Sequence, residues 1–262
     1  MACFDHPADS RAGGVSLGWL LAIAMLAPAP GYAAAACQAS SGPTRVNVVE
    51  LYTSEGCSSC PPADRWLSTL VSDTSGASPV LPLAFHVTYW DRLGWADRFA
   101  RPAYTERQYS VAAAIGAAVV YTPQVIVNGA DWRSWPRLPK PEVAAAIQVR
   151  LSRDGETFTD QIKRREGATT LTQPVSGYWA LIEDGHQTAV RAGENAGATL
   201  RHDHVVSAYQ AVGVWPAAAE QQWQWRPPLA KPDAAARIKR RVAFVVVDAS
   251  NQKPLQALSL EC

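Results

Sequence analysis

Glu50-Leu51-Tyr52-Thr53-Ser54-Glu55-Gly56-Cys57-Ser58-Ser59-Cys60-Pro61-Pro62-Ala63-Asp64 is the stretch on which the fold turns. It continues the β-branched run Val46-Asn47-Val48-Val49, which reads as a buried strand, and it ends in two prolines tolerated in a first helical turn. A Cys-x-x-Cys therefore lies where a loop leaves a strand and enters a helix. That helix continues from Ala63 to Val71, with Trp66, Leu67 and Leu70 on one face. A helix N-terminus presents unpaired N–H groups and about half a positive charge, a field that favours a thiolate. Cys57 reads as the nucleophile and Cys60, three residues on, as the thiol that resolves a mixed disulfide. Half of a zinc site has the same spacing, but zinc needs a second pair or two suitably spaced histidines. No second Cys-x-x-Cys is present, and His86 is the only other histidine in this half of the mature chain.

Working outward, Val80 to Val87 reads as a second strand, and Asp91 to Ala118 as mostly helical with Pro102 interrupting it. In Tyr121-Thr122-Pro123-Gln124-Val125-Ile126-Val127-Asn128-Gly129, a third strand runs from Gln124 to Val127 and ends on an Asn-Gly turn. Pro141 opens a helix through Val143, Ile147 and Leu151, completing an α/β unit from about 44 to 153. Beyond Gly155 the pattern changes to short alternating stretches: Thr169 to Thr172, Tyr178 to Glu183, Thr188 to Arg191, Val205 to Val212 and Arg241 to Asp248. Turn residues separate them, which predicts an antiparallel, sandwich-like β unit.

The N-terminus reads as a targeting segment. Arg11 precedes an apolar run from Val15 to Leu26, followed by Pro28, Pro30 and Ala33-Ala34-Ala35-Ala36. A charged start, about a dozen apolar residues and small residues at the end are what a cleaved secretory signal requires, and the run is shorter than the ~20 residues of a membrane span. The expected organisation is a signal at 1–36, an α/β domain at 37–153 and a β-rich domain at 154–262, secreted or periplasmic. A lipid-modified Cys37 is the alternative.

Export decides how the cysteines read. Of five in the chain, Cys3 leaves with the signal, so Cys37, Cys57, Cys60 and Cys262 remain. An oxidising compartment favours disulfides, and once Cys57 and Cys60 are assigned, Cys37 and Cys262 are left to staple the two ends of the mature chain. With 24 basic and 23 acidic residues the net charge is +1, which argues against a nucleic-acid binder working through a broad basic surface. Apolar residues make up 48% of the chain, enough for one or two sizeable cores.

The order of strand, Cys-x-x-Cys, helix, strand, helix and Thr-Pro-strand-Asn-Gly resembles the thioredoxin-like superfamily. That resemblance implies a cis-proline at Pro123 facing the cysteines, with the backbone beside it pairing to bound substrate. The Glu50 to Asp64 stretch, Tyr89-Trp90-Asp91, Tyr121-Thr122-Pro123-Gln124 and Arg191-Ala192-Gly193-Glu194-Asn195 together resemble a bacterial family of predicted secreted proteins of unknown function, domain of unknown function 1223. This second resemblance spans essentially the whole mature chain and implies a thioredoxin-like domain and a secreted location, without a substrate. Where thioredoxins carry an aromatic residue before the first cysteine, Gly56 stands here.

Other residues offer chemistry. Glu50, seven residues before Cys57, reads as a buried acid that would shuttle a proton to Cys60, or else as a carboxylate bonded to the helix start. Trp90, Trp95 and Phe99 would wall the site or pack an inserted helix. His202 and His204, two apart, would bind metal on a strand face, or sit as polar surface residues. Lys163-Arg164-Arg165 and Lys239-Arg240-Arg241 read as solvated charges that guard strand edges.

The expected function is an exported thiol–disulfide oxidoreductase with Cys57, Cys60, Pro123 and Glu50 at its site. It would need no cofactor and no metal, and would act on a protein or small thiol or disulfide. The alternative is a periplasmic copper- or zinc-delivery protein using the same two cysteines; a third reading is an interaction protein in which their bridge is only structural.

Overall fold

The computed structural model describes residues 37–76, 78–140, 143–228 and 238–261. The expected signal at 1–36 and the Cys262 end of the expected staple lie outside the described residues. In chain order the first part contains β1 (Gln38–Ser40), β2 (Asn47–Thr53), α1 (Pro61–Ser68), β3 (Val80–His86), a 3-10 helix (Thr88–Leu93), α2 (Pro102–Ala114), β4 (Gln124–Val127) and β5 (Ala130–Asp131). The remainder is strand: β6 (Ile147–Asp154), β7 (Thr157–Arg164), β8 (Val175–Asp184), β9 (His186–Ala189), β10 (Thr199–His202), β11 (Val205–Trp215), β12 (Gln224–Trp225), β13 (Lys239–Asp248) and β14 (Pro254–Leu260). The described chain is mostly β-sheet with few helices.

One eight-stranded sheet, in the order β14-β13-β8-β11-β3-β2-β4-β5, runs through both parts of the sequence. β2 and β3 are parallel; β2 and β4 are antiparallel. β11 joins β3 in parallel through Val205 opposite Ala84, where the Ala84 N–H donates to the His204 carbonyl at 2.8 Å. The boundary expected at 153/154 falls at the end of β6, and the described residues from Cys37 onward belong to one compact unit.

Every residue of β2 is buried because both faces of the sheet are covered there. Val49 and Leu51 pack with Ala63, Trp66 and Leu67 of α1, whereas Val48 and Tyr52 pack with Tyr104 and Val111 of α2. Farther along the sheet, Trp179 of β8 and Phe244 of β13 face a second, four-stranded sheet, β1-β6-β7-β12. Tyr178 and Val245, on the alternate side, join the core that α2 covers. The turn after β4 needs left-handed backbone: Asn128 has φ 51° and Gly129 φ 74°. Asn128 also accepts from the Val48 N–H at 3.0 Å and donates to the Asn47 side chain at 2.7 Å, fixing the β2–β4 register.

Several expectations are corrected. The helix expected through Val143, Ile147 and Leu151 is not formed: Ile147, Val149 and Leu151 alternate inward on β6, paired with β7. A spacing of four fits either period, and Val149 decides for the strand. Asp91 to Ala118 is not one interrupted helix, because Pro102 starts α2 instead of breaking it and the residues before it form a 3-10 turn followed by a loop. Thr169 to Thr172 forms no strand. The basic run at 239–241 begins a central strand, not an edge: Arg240 binds Glu183 at 2.7 Å, and buried Arg241 pairs with Asp184. Arg165 donates to the carbonyl of Ser41 at 2.7 Å and also to that of Gly42, so that run too is partly structural.

Candidate functional site

Cys57 and Cys60 are joined in a disulfide with Cα atoms 5.4 Å apart, and both residues are 0% exposed. The loop that carries them tightens in two steps. The Cys57 N–H donates to the Ser54 carbonyl at 3.1 Å and the Cys60 N–H to the Cys57 carbonyl at 3.2 Å. Cys60 then serves as the N-cap of α1, with Pro61 and Pro62 in the first turn. The Ser59 hydroxyl lies 3.4 Å from Cys57 Sγ.

Trp90 spans the space between this loop and the start of β4. A Cβ at Gly56 would stand 3.2 Å from the Trp90 Cβ, while Trp90 Nε1 donates to Thr122 Oγ1 at 2.7 Å. The Thr122–Pro123 peptide is cis. Beside it an open groove of about 340 Å³ is lined by Tyr121, Pro123, Val125, Trp132, Arg133 and Trp135.

The segment between β9 and β10 approaches the cysteine loop from the later part of the chain. Asn195 Nδ2 donates to the carbonyls of Glu55, at 2.8 Å, and Cys57, at 3.0 Å. Glu194 Oε2 accepts from the Ser58 N–H at 3.1 Å, and the Ser58 side chain and this N–H together hold the exposed carboxylate below its usual range. Gly193, at φ 74°, has no room for a side chain that does not press on Trp95. Periodicity gave no sign of this segment; only its place in the family resemblance marked it.

Buried ionisable groups cluster against the same loop. Glu55 is 0% exposed; its Oε1 lies 3.3 Å from His202 Nε2 and its Oε2 accepts from Trp95 Nε1 at 2.8 Å. Burial opposes its charge, but His202 and Thr188 beside it and the bond from Trp95 outweigh burial and hold it below the usual carboxylate range. His86 Nδ1 meets Asp97 Oδ2 at 2.6 Å. Against the cost of burial, His86 keeps Asp97 down at about 2, and Asp97 in turn raises His86. Asp64, one turn beyond Cys60 on the buried face of α1, accepts from Thr53 Oγ1 at 3.1 Å and is raised by burial. Phe99 packs among the rings of His86, His186 and His202. Trp90 and Trp95 therefore adjoin the cysteine loop, while Phe99 belongs to the cluster behind it.

Glu50 lies elsewhere. It shares the α2 face of β2 with Val48 and Tyr52, opposite the face on which α1 packs. Its Oε2 accepts from Tyr52 at 2.7 Å, and its Oε1 from Tyr178 at 2.8 Å and from Arg107 at 2.5 Å. Neither the proton shuttle nor the bond to the helix start expected of Glu50 fits this placement. The carboxylates on the helix side are Glu55, Asp64 and Asp97.

The histidines expected to share a strand face are also rearranged. His202 pairs with Glu55, whereas His204, beyond β10 at φ 60°, pairs with Asp184 at 3.2 Å and bonds the Leu70 carbonyl at 3.0 Å. Both are buried, not surface residues. Among the described residues no three or more His, Cys, Asp or Glu side chains converge as metal ligands.

Fold and site define a β-rich protein built around a Cys-x-x-Cys disulfide at the start of a short helix. The chain belongs to a family described as "Protein of unknown function (DUF1223)", whose model matches residues 48–247. It is similar to the crystal structure of protein AGR_C_4864 from Agrobacterium tumefaciens, at 25% identity and a TM-score of 0.59, over 83% of this chain and 95% of that one. It also shares its fold with HBP35 of Porphyromonas gingivalis, at 13% identity and a TM-score of 0.54, over 84% of this chain and 76% of that one. No curated protein matches the chain.

Proposed function

We propose that this protein is an exported thiol–disulfide oxidoreductase whose Cys57–Cys60 pair works within a thioredoxin-like arrangement. The observation that carries the reading is the disulfide at the N-terminus of α1, linked by Trp90 to Thr122 and thus to the Pro123 side of the site. The strand order β3-β2-β4-β5, with α1 packed on one face and α2 on the other, supports the thioredoxin-like arrangement. Export rests on the N-terminal pattern of Arg11, the apolar run from Val15 to Leu26 and the small residues after it.

In the reducing direction, the Cys57 thiolate attacks one sulfur of a substrate disulfide. A mixed disulfide forms and the first substrate sulfur departs as a thiolate. Cys60, losing its proton, attacks Cys57 Sγ; the Cys57–Cys60 bond forms and the second substrate thiolate leaves. Two electrons pass to the substrate, and the two protons lost by the cysteines equal those its thiolates take up. The groove beside Pro123, lined by the rings of Tyr121, Trp132 and Trp135 and by Arg133, offers a mixed polar and aromatic surface for the substrate chain.

For the copper- or zinc-delivery alternative, His86 is the nearest histidine in sequence, and its Nδ1 is committed to Asp97. The test of the main reading is a trap. Cys60→Ser protein, incubated with oxidised glutathione, is expected to retain one glutathione on Cys57. An unmodified Cys57 would overturn the reading.

A further inference from the structure

We infer that Glu194 is a positioning residue that holds Cys57 as a weak acid and biases the Cys57–Cys60 pair toward its disulfide, so that the site gives electrons to its substrates. The inference deepens the proposed thiol–disulfide reading, and rests on it for the direction of electron flow.

The helix start that should favour a Cys57 thiolate is poor in main-chain donors, and the Ser59 hydroxyl, 3.4 Å from Cys57 Sγ, is the side-chain donor in reach of it. Pro61 and Pro62 fill the first turn of α1 and carry no N–H, which removes two donors that an ordinary helix start would offer. The N–H of Cys60 is bonded to the Cys57 carbonyl and that of Cys57 to the Ser54 carbonyl. The N–H of Ser58, the residue directly after Cys57, is taken by Glu194 at 3.1 Å. A donor that would otherwise be free to stabilise a sulfur anion is thus spent on a carboxylate, whose own negative charge opposes a second one beside it.

The other ionisable groups around the loop are engaged away from the thiols. Glu55 of the loop pairs with His202 of β10, and His86 of β3 pairs with Asp97 of the segment before α2. Asp64 of α1 is bonded to Thr53 of β2. Glu194 alone in this group spends its bond on a main-chain donor of the Cys-x-x-Cys itself. It is kept there by its neighbour: Asn195 fastens the same segment to the carbonyls of Glu55 and Cys57.

A destabilised thiolate means a destabilised dithiol, because the reduced pair owes part of its stability to ionisation of Cys57. In the exchange of protein disulfide plus dithiothreitol for protein dithiol plus oxidised dithiothreitol, Glu194 therefore pulls toward the disulfide. The carboxylate is exposed, so salt should screen its influence.

Glu194→Gln keeps an oxygen to accept from Ser58 and removes only the charge. In reduced Cys60→Ser protein, the ultraviolet absorbance of the Cys57 thiolate is followed against pH with and without that substitution. The ionisation constant is expected to rise roughly two- to fivefold, the size of effect seen for exposed charges, and the rise should shrink in molar salt. With both cysteines present, the dithiothreitol equilibrium should move toward dithiol by up to that factor at pH values where Cys57 is ionised, and should stay where it is at pH values well below its ionisation. Superimposable titrations would overturn the inference, as would a difference that salt leaves untouched. A protein that never exchanges with dithiothreitol would defeat the thiol–disulfide reading and the electron-donor half with it; the titration would still decide the charge effect.

Discussion

Asn195 donates to the carbonyl of Cys57 at 3.0 Å, across 138 positions of sequence. The same amide group reaches the Glu55 carbonyl, so the segment between β9 and β10 clasps the cysteine loop from both sides of Gly56. The later, β-rich part of the chain thus completes the site that the earlier part begins.

Asn195→Ala removes both bonds and leaves two carbonyls to find water. It is expected to lower stability by about 1–2 kcal/mol and to speed alkylation of reduced Cys57. Denaturant unfolding and timed alkylation with peptide mapping measure the two effects. Unchanged alkylation would mean that the segment does not control access to the thiol.

Cys57 should alkylate before Cys60 in the reduced protein near neutral pH. Cys60 is the N-cap residue of α1, whereas Cys57 precedes the helix on the loop. Mapping the first label to Cys60 would reverse the assigned roles.

The Glu50 cluster is expected to hold the fold and not to move protons. Arg107 is buried between Glu50 and the face of Tyr178, with its guanidinium carbon 4.1 Å from that ring centroid. Arg107→Met should cost about 3–5 kcal/mol, because it strands a buried carboxylate. Glu50→Gln, measured where the protein remains folded, should leave the pH profile of Cys57–Cys60 exchange unchanged. A shifted profile would restore Glu50 to the chemistry.

Much of this was legible in the residues, and the failures share a cause. β2, α1, β3 and β4 were readable because Val46 to Thr53, the prolines after Cys60 and Asn128-Gly129 are local signals. β6 reads as a helix because Val143, Ile147 and Leu151 fit two periods at once. β7 was invisible because Asp160 occupies an inward position between Phe158 and Ile162. The cluster of Glu55, Asp97, His86 and His202 could not be assembled, since its members lie on elements that meet only in space. Asp64 alone carried a local cue: it falls one turn from Cys60, on the face that Leu67 buries.

Asp160 itself gives a pH dependence. Its Oδ1 accepts from the Trp223 N–H at 2.9 Å, its Oδ2 has no hydrogen-bond partner, and burial pushes its pKa up to about 7. The folded state then holds a proton that the unfolded chain has released between about pH 4 and 7, so stability falls as pH rises through that window. Asp160→Asn keeps an acceptor for Trp223 and removes the titration. Its unfolding midpoint should be less dependent on pH there and higher at neutral pH; parallel curves for the two proteins would refute the assignment.

The most direct measurement is the redox equilibrium of the full chain. Protein is brought to equilibrium with graded mixtures of reduced and oxidised dithiothreitol and glutathione, and the thiols of Cys57 and Cys60 are counted by mass after alkylation. The account predicts one reversible two-electron transition confined to those two residues and abolished by Cys57→Ser. A Cys57–Cys60 bond that stays closed in every mixture short of denaturation would mark it as purely structural. Cysteines released only when tightly held zinc or copper is removed would contradict the account in favour of metal delivery.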